Sequence, residues 1–185
     1  MNYTETLDKA LSFIRELDFD KALALYYQLL EEHPGDIQLI KRIYPIEKKR
    51  PHSDGFERIS KRIFRLKSKQ PECRQLLEQA YIDFLSAKRP LPTDDFTILG
   101  NLMIQLPFKR FKKELEKIHS IIKSQHPNHQ DTPNLLMLYC ERLIENSHLI
   151  EAKQELKYMM TYYAESSAGR WAINQRKLVE NLIRK

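Results

Sequence analysis

The hydrophobic positions of this chain recur with helical spacing along almost its whole length. Apolar residues return at steps of three and four, as from Leu7 to Ile14 and from Ala22 to Leu30, and strict alternation is rare. Short polar segments with proline or glycine separate these runs and are expected to end helices. The clearest are residues 33–36, 48–55, 88–95 and 126–133. The pattern predicts an all-α fold of about ten helices with short connections.

A spacing of small, aromatic and proline residues marks the first two predicted helices. On the first helix a small residue precedes an aromatic one by three positions. On the second, an alanine is followed by an aromatic residue, an apolar residue and a proline at four, seven and twelve positions. These residues are Ala10, Phe13, Ala22, Tyr26, Leu29 and Pro34. The spacing resembles the tetratricopeptide repeat, a helix-turn-helix unit of about 34 residues.

Weaker copies of the same spacing follow along the chain. They are Ile59, Ile63, Leu66 and Pro71; Leu115, His119, Ile122 and Pro127; and Cys140, Leu143, Ala152, Leu156 and Met159. The resemblance implies a single domain over residues 1–185, an α-α superhelix in which antiparallel helix hairpins stack as a solenoid. The hairpins would cover residues 4–34, 36–70, 94–127 and 133–164, with an extra helix at 71–87 and a closing helix at 168–184.

The resemblance also implies a function, that of a non-catalytic scaffold for protein-protein interaction. In such arrays the first helices of the pairs line a concave groove that holds a partner peptide or protein. The residues expected there are polar or aromatic positions of those helices that lie off the apolar stripe. They are Lys9, Gln38, Lys41, Tyr44, Asn101, Tyr139 and Arg142.

Charge is unevenly distributed along the chain. The net charge is +6; residues 1–36 carry −5 and residues 41–74 carry +8. Several basic residues of the second segment share one helix face or lie beside it. This predicted basic patch consists of Arg58, Lys61, Arg62, Arg65 and Lys69. Clustered positive charge attracts acidic ligands, so an acidic protein partner is expected here.

A nucleic-acid-binding helical protein that uses residues 41–74 is the alternative, because phosphates also seek basic surfaces. Bases usually stack on aromatic side chains in such sites. Phe56 and Phe64 are the only aromatic residues close to the patch in sequence, and Phe64 fits the apolar stripe. The sequence therefore favours a protein partner.

Enzymatic and metal chemistry find little support in the sequence. The chain has only four glycines, and none of the motifs GxSxG, HExxH, GxxxxGK[ST] or GxGxxG occurs. His126 and His129 lack the cage spacing of a zinc site. We expect no catalytic residues, no cofactor and no metal.

The two cysteines, Cys73 and Cys140, suggest reduced thiols in a cytoplasmic protein. No secretory leader and no membrane-spanning run is apparent in the sequence. A soluble interaction domain of a larger membrane-anchored protein remains a further alternative, and homo-oligomer formation stays open.

Overall fold

The computed structural model describes residues 2–66 and 71–184, and every regular element among them is an α-helix. The all-α prediction is therefore confirmed. The helices are α1 (Tyr3–Arg15), α2 (Phe19–Glu32), α3 (Ile37–Glu47), α4 (Asp54–Phe64), α5 (Pro71–Ser86), α6 (Phe96–Gln105), α7 (Phe108–Gln125), α8 (Thr132–Glu145), α9 (Leu149–Tyr162) and α10 (Ser167–Ile183). No helix in these described ranges is both long and apolar enough to cross a bilayer.

Side-chain caps begin many of these helices, since the first backbone N–H groups of a helix lack partners within it. Asp18 accepts from the backbone N–H of Lys21 at the start of α2. Ser53 accepts from that of Phe56 at 3.0 Å and begins α4. The polar breaks in the sequence therefore act as both helix stops and helix starts.

The chain divides into two compact units, residues 1–91 and 92–185. In the first unit, each helix from α1 to α5 packs against the next along the chain. Its core includes three aromatic rings: Phe84 lies 6.4 Å from Phe56 and 5.4 Å from Phe64 between ring centroids. All three rings are buried.

In the second unit, α8 is the central helix and contacts α6, α7, α9 and α10. The first helix of each successive pair, α6 and then α8, contacts both its own second helix and the first helix that follows. Neighbouring hairpins in this unit are thus packed side by side. The sequence predicts a single domain in which one superhelical array runs through both units, and this stays a prediction.

The turn between α1 and α2 has the same conformation as the turn between α8 and α9. Leu17 and Ser147 both adopt left-handed backbone angles, with φ of 60° and 62°. In each turn the next residue donates its N–H back across five positions, Asp18 to Phe13 O at 2.9 Å and His148 to Leu143 O at 2.8 Å. This is the Schellman pattern of helix termination.

Small residues at matching positions close the two hairpins. Ala10 on α1 and Cys140 on α8 lie seven residues before the left-handed position, and Ala22 and Ala152 lie five residues after it. All four are fully buried. Two segments 130 residues apart therefore share turn geometry and packing positions.

Candidate functional site

Helix α4 separates an apolar face from a basic one. Phe56, Ile59 and Ile63 are fully buried against the first unit. Arg58 and Arg65 are exposed, and Lys61 and Arg62 are half-buried. The basic residues lie within two turns of one another because they recur at three- and four-residue steps. Four members of the predicted patch thus lie on one side of α4; Lys69 lies outside the described residues.

A groove of about 560 Å³ runs along this surface, between α4 and the turn that joins α2 to α3. It is lined by Glu31, Pro34, Gly35, Arg58, Arg62, Arg65 and Leu66. Three guanidinium groups and two apolar side chains therefore share one concave surface. We call it the α4 groove.

Arg58 is positioned by an aromatic ring. Its guanidinium carbon lies 3.6 Å from the centroid of the Tyr27 ring, a cation-π contact. The Tyr27 hydroxyl donates to Glu47 Oε1 at 3.0 Å. Burial, followed by the charge of Glu47, raises the pKa of Tyr27, so the phenol stays protonated and keeps its hydrogen bond.

Much of the basic segment is neutralised within the first unit. Arg62 lies 3.3 Å from Glu31, and Arg50 lies 2.7 Å from Asp20. Lys48 pairs with Asp83 at 2.8 Å. The acidic residues 1–36 and the basic residues 41–74 are therefore partly each other's counterions. Sequence spacing could not reveal these pairs because the partners lie about 30 residues apart.

Three of the residues expected to line a groove are buried instead. Tyr44 donates to Asp83 in the first unit. Tyr139 stacks on His119 with 4.3 Å between ring centroids, and Asn101 is buried on α6. Their placement on an open groove is corrected, because all three side chains are buried; the apolar stripe alone does not reveal this burial.

The remaining predicted groove residues are at least partly accessible. Lys9 and Gln38 are exposed, and Lys41 is half-buried and contacts Glu72. Arg142 donates to the carbonyl oxygens of Met103 and Leu106 at 2.6 and 3.1 Å. It therefore caps the end of α6, where carbonyl groups lack helical partners. Binding of a partner by these four residues stays a prediction.

The second unit contains a polar cluster that sequence reasoning missed. Glu155 on α9 is buried, yet its Oε1 lies 3.1 Å from His119 Nε2 of α7, without hydrogen-bond alignment. Its other oxygen accepts from Lys123 Nζ at 3.0 Å. The ring of Tyr139 covers His119. The only sequence signal was that Glu155 falls on the apolar stripe of α9.

The ionisation of Glu155 stabilises this cluster. Burial alone would raise the pKa of the carboxyl, but its contacts with His119 and Lys123 outweigh burial and hold it below its ordinary value of 4.5. Because folding lowers the pKa of Glu155, the stabilisation is fully present at pH values above the pKa of the unfolded state. It is lost as pH falls through the pKa of the folded state.

Glu155→Gln is therefore expected to lower the free energy of unfolding at pH 7 by about 1–3 kcal/mol, because its partners lose a charged acceptor. The difference from the parent should shrink as pH falls below about 4.5. Urea titrations at several pH values measure it. Glu151→Gln is the matched control, since Glu151 is exposed and surface pairs contribute about 0–1 kcal/mol. A loss that is the same at every pH would contradict this role for the carboxylate.

Within the described ranges, no group of three or more His, Cys, Asp or Glu side chains is arranged to hold a metal ion. His126 instead donates to the carbonyl oxygen of Thr93 at 2.8 Å. His129 stacks on Phe96 with 3.6 Å between ring centroids. Both histidines thus have packing roles in the loop.

Comparison of the chain with family models, curated proteins and solved structures finds no match.

Proposed function

We propose that this chain is a non-catalytic protein-interaction module built from stacked helix hairpins of the tetratricopeptide type. Its α4 groove would bind an acidic segment of a partner protein. The observation that carries the proposal is the recurrence of one hairpin geometry in α1–α2 and α8–α9, with matching left-handed residues and buried small residues. Stacked hairpins expose long surfaces suited to partner binding.

The chemistry of the α4 groove supports a protein ligand. Arginine presents a planar fork that matches a carboxylate, and the carboxylate of Glu31 already lies beside Arg62. Pro34 and Leu66 add apolar surface to the same groove. An acidic peptide with apolar residues fits both features.

The same surface gives less support to the nucleic-acid alternative. Phe56 and Phe64 are fully buried and offer no stacking platform. The Tyr27 ring has Arg58 over it. Exposed Arg58 and Arg65 still favour phosphate contacts, so nucleic acid is the second candidate ligand. A cytoplasmic location belongs to the proposal and is supported by Cys73 and Cys140, which are both buried and are not joined in a disulfide.

The test is a binding titration with a dye-labelled peptide of alternating glutamate and leucine, followed by fluorescence anisotropy. The combined change Arg58→Glu, Arg62→Glu and Arg65→Glu should weaken binding by about tenfold or more, equivalent to about 1.4 kcal/mol. It should also flatten the salt dependence, because fewer opposite charges remain to be screened.

The matched control is Lys109→Glu, Lys113→Glu and Lys117→Glu on α7, which makes the same charge change on exposed positions of the second unit. If both triple variants lose the same amount of affinity for the peptide, the α4 groove is rejected as the binding site.

Parallel titrations use random duplex DNA and single-stranded RNA at about 150 mM salt, where non-specific binding is expected near 10⁻⁴–10⁻⁶ M. Much tighter binding that the α4 changes abolish would replace the protein ligand with nucleic acid.

A further inference from the structure

A second groove, of about 410 Å³, lies between α9 and α10 in the second unit. Its α9 side consists of Ile150, Lys153, Lys157 and Met160 together with Gln154, and its α10 side consists of Arg176 and Glu180. Ile150 is 66% exposed, and Ile173, on the same face of α10 as Arg176, is 51% exposed. Contiguous exposed apolar surface marks an interaction site, and Ile150 and Met160 line the same groove.

The other side of α9 contacts α7 through charged side chains. There α7 directs Lys112 and Lys123 toward Glu151 and Glu155, with N–O distances of 3.2 and 3.0 Å. The Lys123 ammonium also lies 3.5 Å from the centroid of the Tyr158 ring. A basic side of α7 thus meets two carboxylates spaced one helical turn apart on α9.

The groove side of α9 lies in the same helical register as that basic side of α7, although its two lysines stand where α7 has Glu116 and Ser120. The buried residues Leu115 and Ile122 of α7 match Ala152 and Met159 of α9 at a constant separation of 37 residues. At the same separation, Met160 occupies the position of Lys123, on the side of α7 that receives α9. Lys153 and Lys157, spaced one turn apart, line that same side of α9. The groove is therefore placed to receive a helix as α7 receives α9.

We propose that the groove binds an amphipathic helix of a partner protein that carries two acidic residues one turn apart. Its carboxylates would pair with Lys153 and Lys157. Its apolar stripe would cover Ile150, Met160 and Ile173. This surface is separate from the α4 groove, and the proposal does not depend on the ligand assigned there.

Charge favours an acidic partner protein over a second copy of this chain, because two copies that each carry a net charge of +6 repel one another. The carboxylate pair of α9 that has the required spacing, Glu151 and Glu155, is already engaged by α7. The α10 wall also carries charges of both signs, since Arg176 pairs with Glu180 at 2.9 Å. An acidic amphipathic helix would pair with Lys153 and Lys157 and would leave both the α7–α9 ion pairs and the Arg176–Glu180 pair intact.

The experiment uses two dye-labelled helical peptides with the same leucine stripe. One carries a glutamate pair four residues apart beside the stripe, and the other carries lysines at those positions. Titrations use the full chain with Arg58, Arg62 and Arg65 changed to glutamate, so that the α4 groove does not contribute. The glutamate peptide should bind at least about tenfold more tightly than the lysine peptide.

Adding Lys153→Glu and Lys157→Glu should reverse this preference, and Ile150→Ser should weaken both interactions without changing the melting temperature, because Ile150 is exposed. Lys113→Glu with Lys117→Glu is the control and should change nothing. Absent binding, or a preference that the charge reversal leaves unchanged, would overturn the proposal. Self-association in sedimentation that the peptide competes away would assign the groove to a second copy instead. None of these outcomes affects the test of the α4 groove.

Discussion

Replacing Ala22 with tryptophan is expected to lower the free energy of unfolding by about 1–3 kcal/mol or more. Ala22 lies on α2 and is fully buried in the unit where α1 and α2 pack together. A small residue at this position leaves room for the neighbouring helix to approach closely. An indole ring in its place would force the helices apart or into strained side-chain conformations.

Thermal and urea unfolding of the purified variant measure this effect. Ala24→Trp is the matched control, since Ala24 is exposed on the same helix, and it should change stability by no more than about 0.5 kcal/mol. Ala152→Trp should behave like Ala22→Trp, because Ala152 holds the equivalent position in the second unit. If the Ala22→Trp variant has the same melting temperature as the parent protein, the assignment of the first hairpin is wrong.

Gly169→Ala is expected to destabilise the second unit by a comparable amount, about 1–3 kcal/mol or more. Gly169 is buried in the first turn of α10. A methyl group on its α-carbon would lie 2.0 Å from the carbonyl oxygen of Tyr163. Because that oxygen belongs to the backbone, the clash can be relieved only if the turn between α9 and α10 moves.

The control for this prediction is Gly35→Ala. No atom lies within 4 Å of a β-carbon built at Gly35, and its φ is not positive. Alanine there should leave stability unchanged or raise it by about 0.4–1 kcal/mol, through loss of freedom in the unfolded chain. Equal unfolding free energies for the two variants, measured in urea, would contradict the close approach at Gly169.

Helix positions were predictable because the signals are local. The apolar period and the caps depend on residues within one or two turns. Ser53 caps α4 within the break predicted at residues 48–55, and Pro71 begins α5 where the extra helix at 71–87 was expected. The ranges assigned to the four pairs and to the extra helix contain α1–α4, α6–α9 and α5; their identity as repeats stays a prediction.

The left-handed turn residues were not predictable in the same way. The stop at residues 33–36 was assigned partly because glycine accepts positive φ, yet no glycine in the described ranges has positive φ. Leu17, Lys88 and Ser147 adopt that conformation instead. Two backbone hydrogen bonds close each of these turns, and single residue types do not reveal such constraints.

The site was only partly predictable. The basic face of α4 followed from spacing alone. The Glu31 carboxylate that pairs with Arg62 comes from α2, and the stacking of Arg58 on Tyr27 joins residues about 30 positions apart. Burial of Tyr44 and Tyr139 likewise depends on partners from distant helices. Tertiary contacts of this kind have no periodic signature in a single sequence.

The most direct test of the proposed function is nuclear magnetic resonance of the isotope-labelled full chain, titrated with the alternating glutamate-leucine peptide. The account predicts saturable shifts of the amide signals of Gly35, Arg58, Arg62 and Arg65, which line the α4 groove. Shifts that are absent, that arise only outside this groove, or that only nucleic acid produces would contradict it.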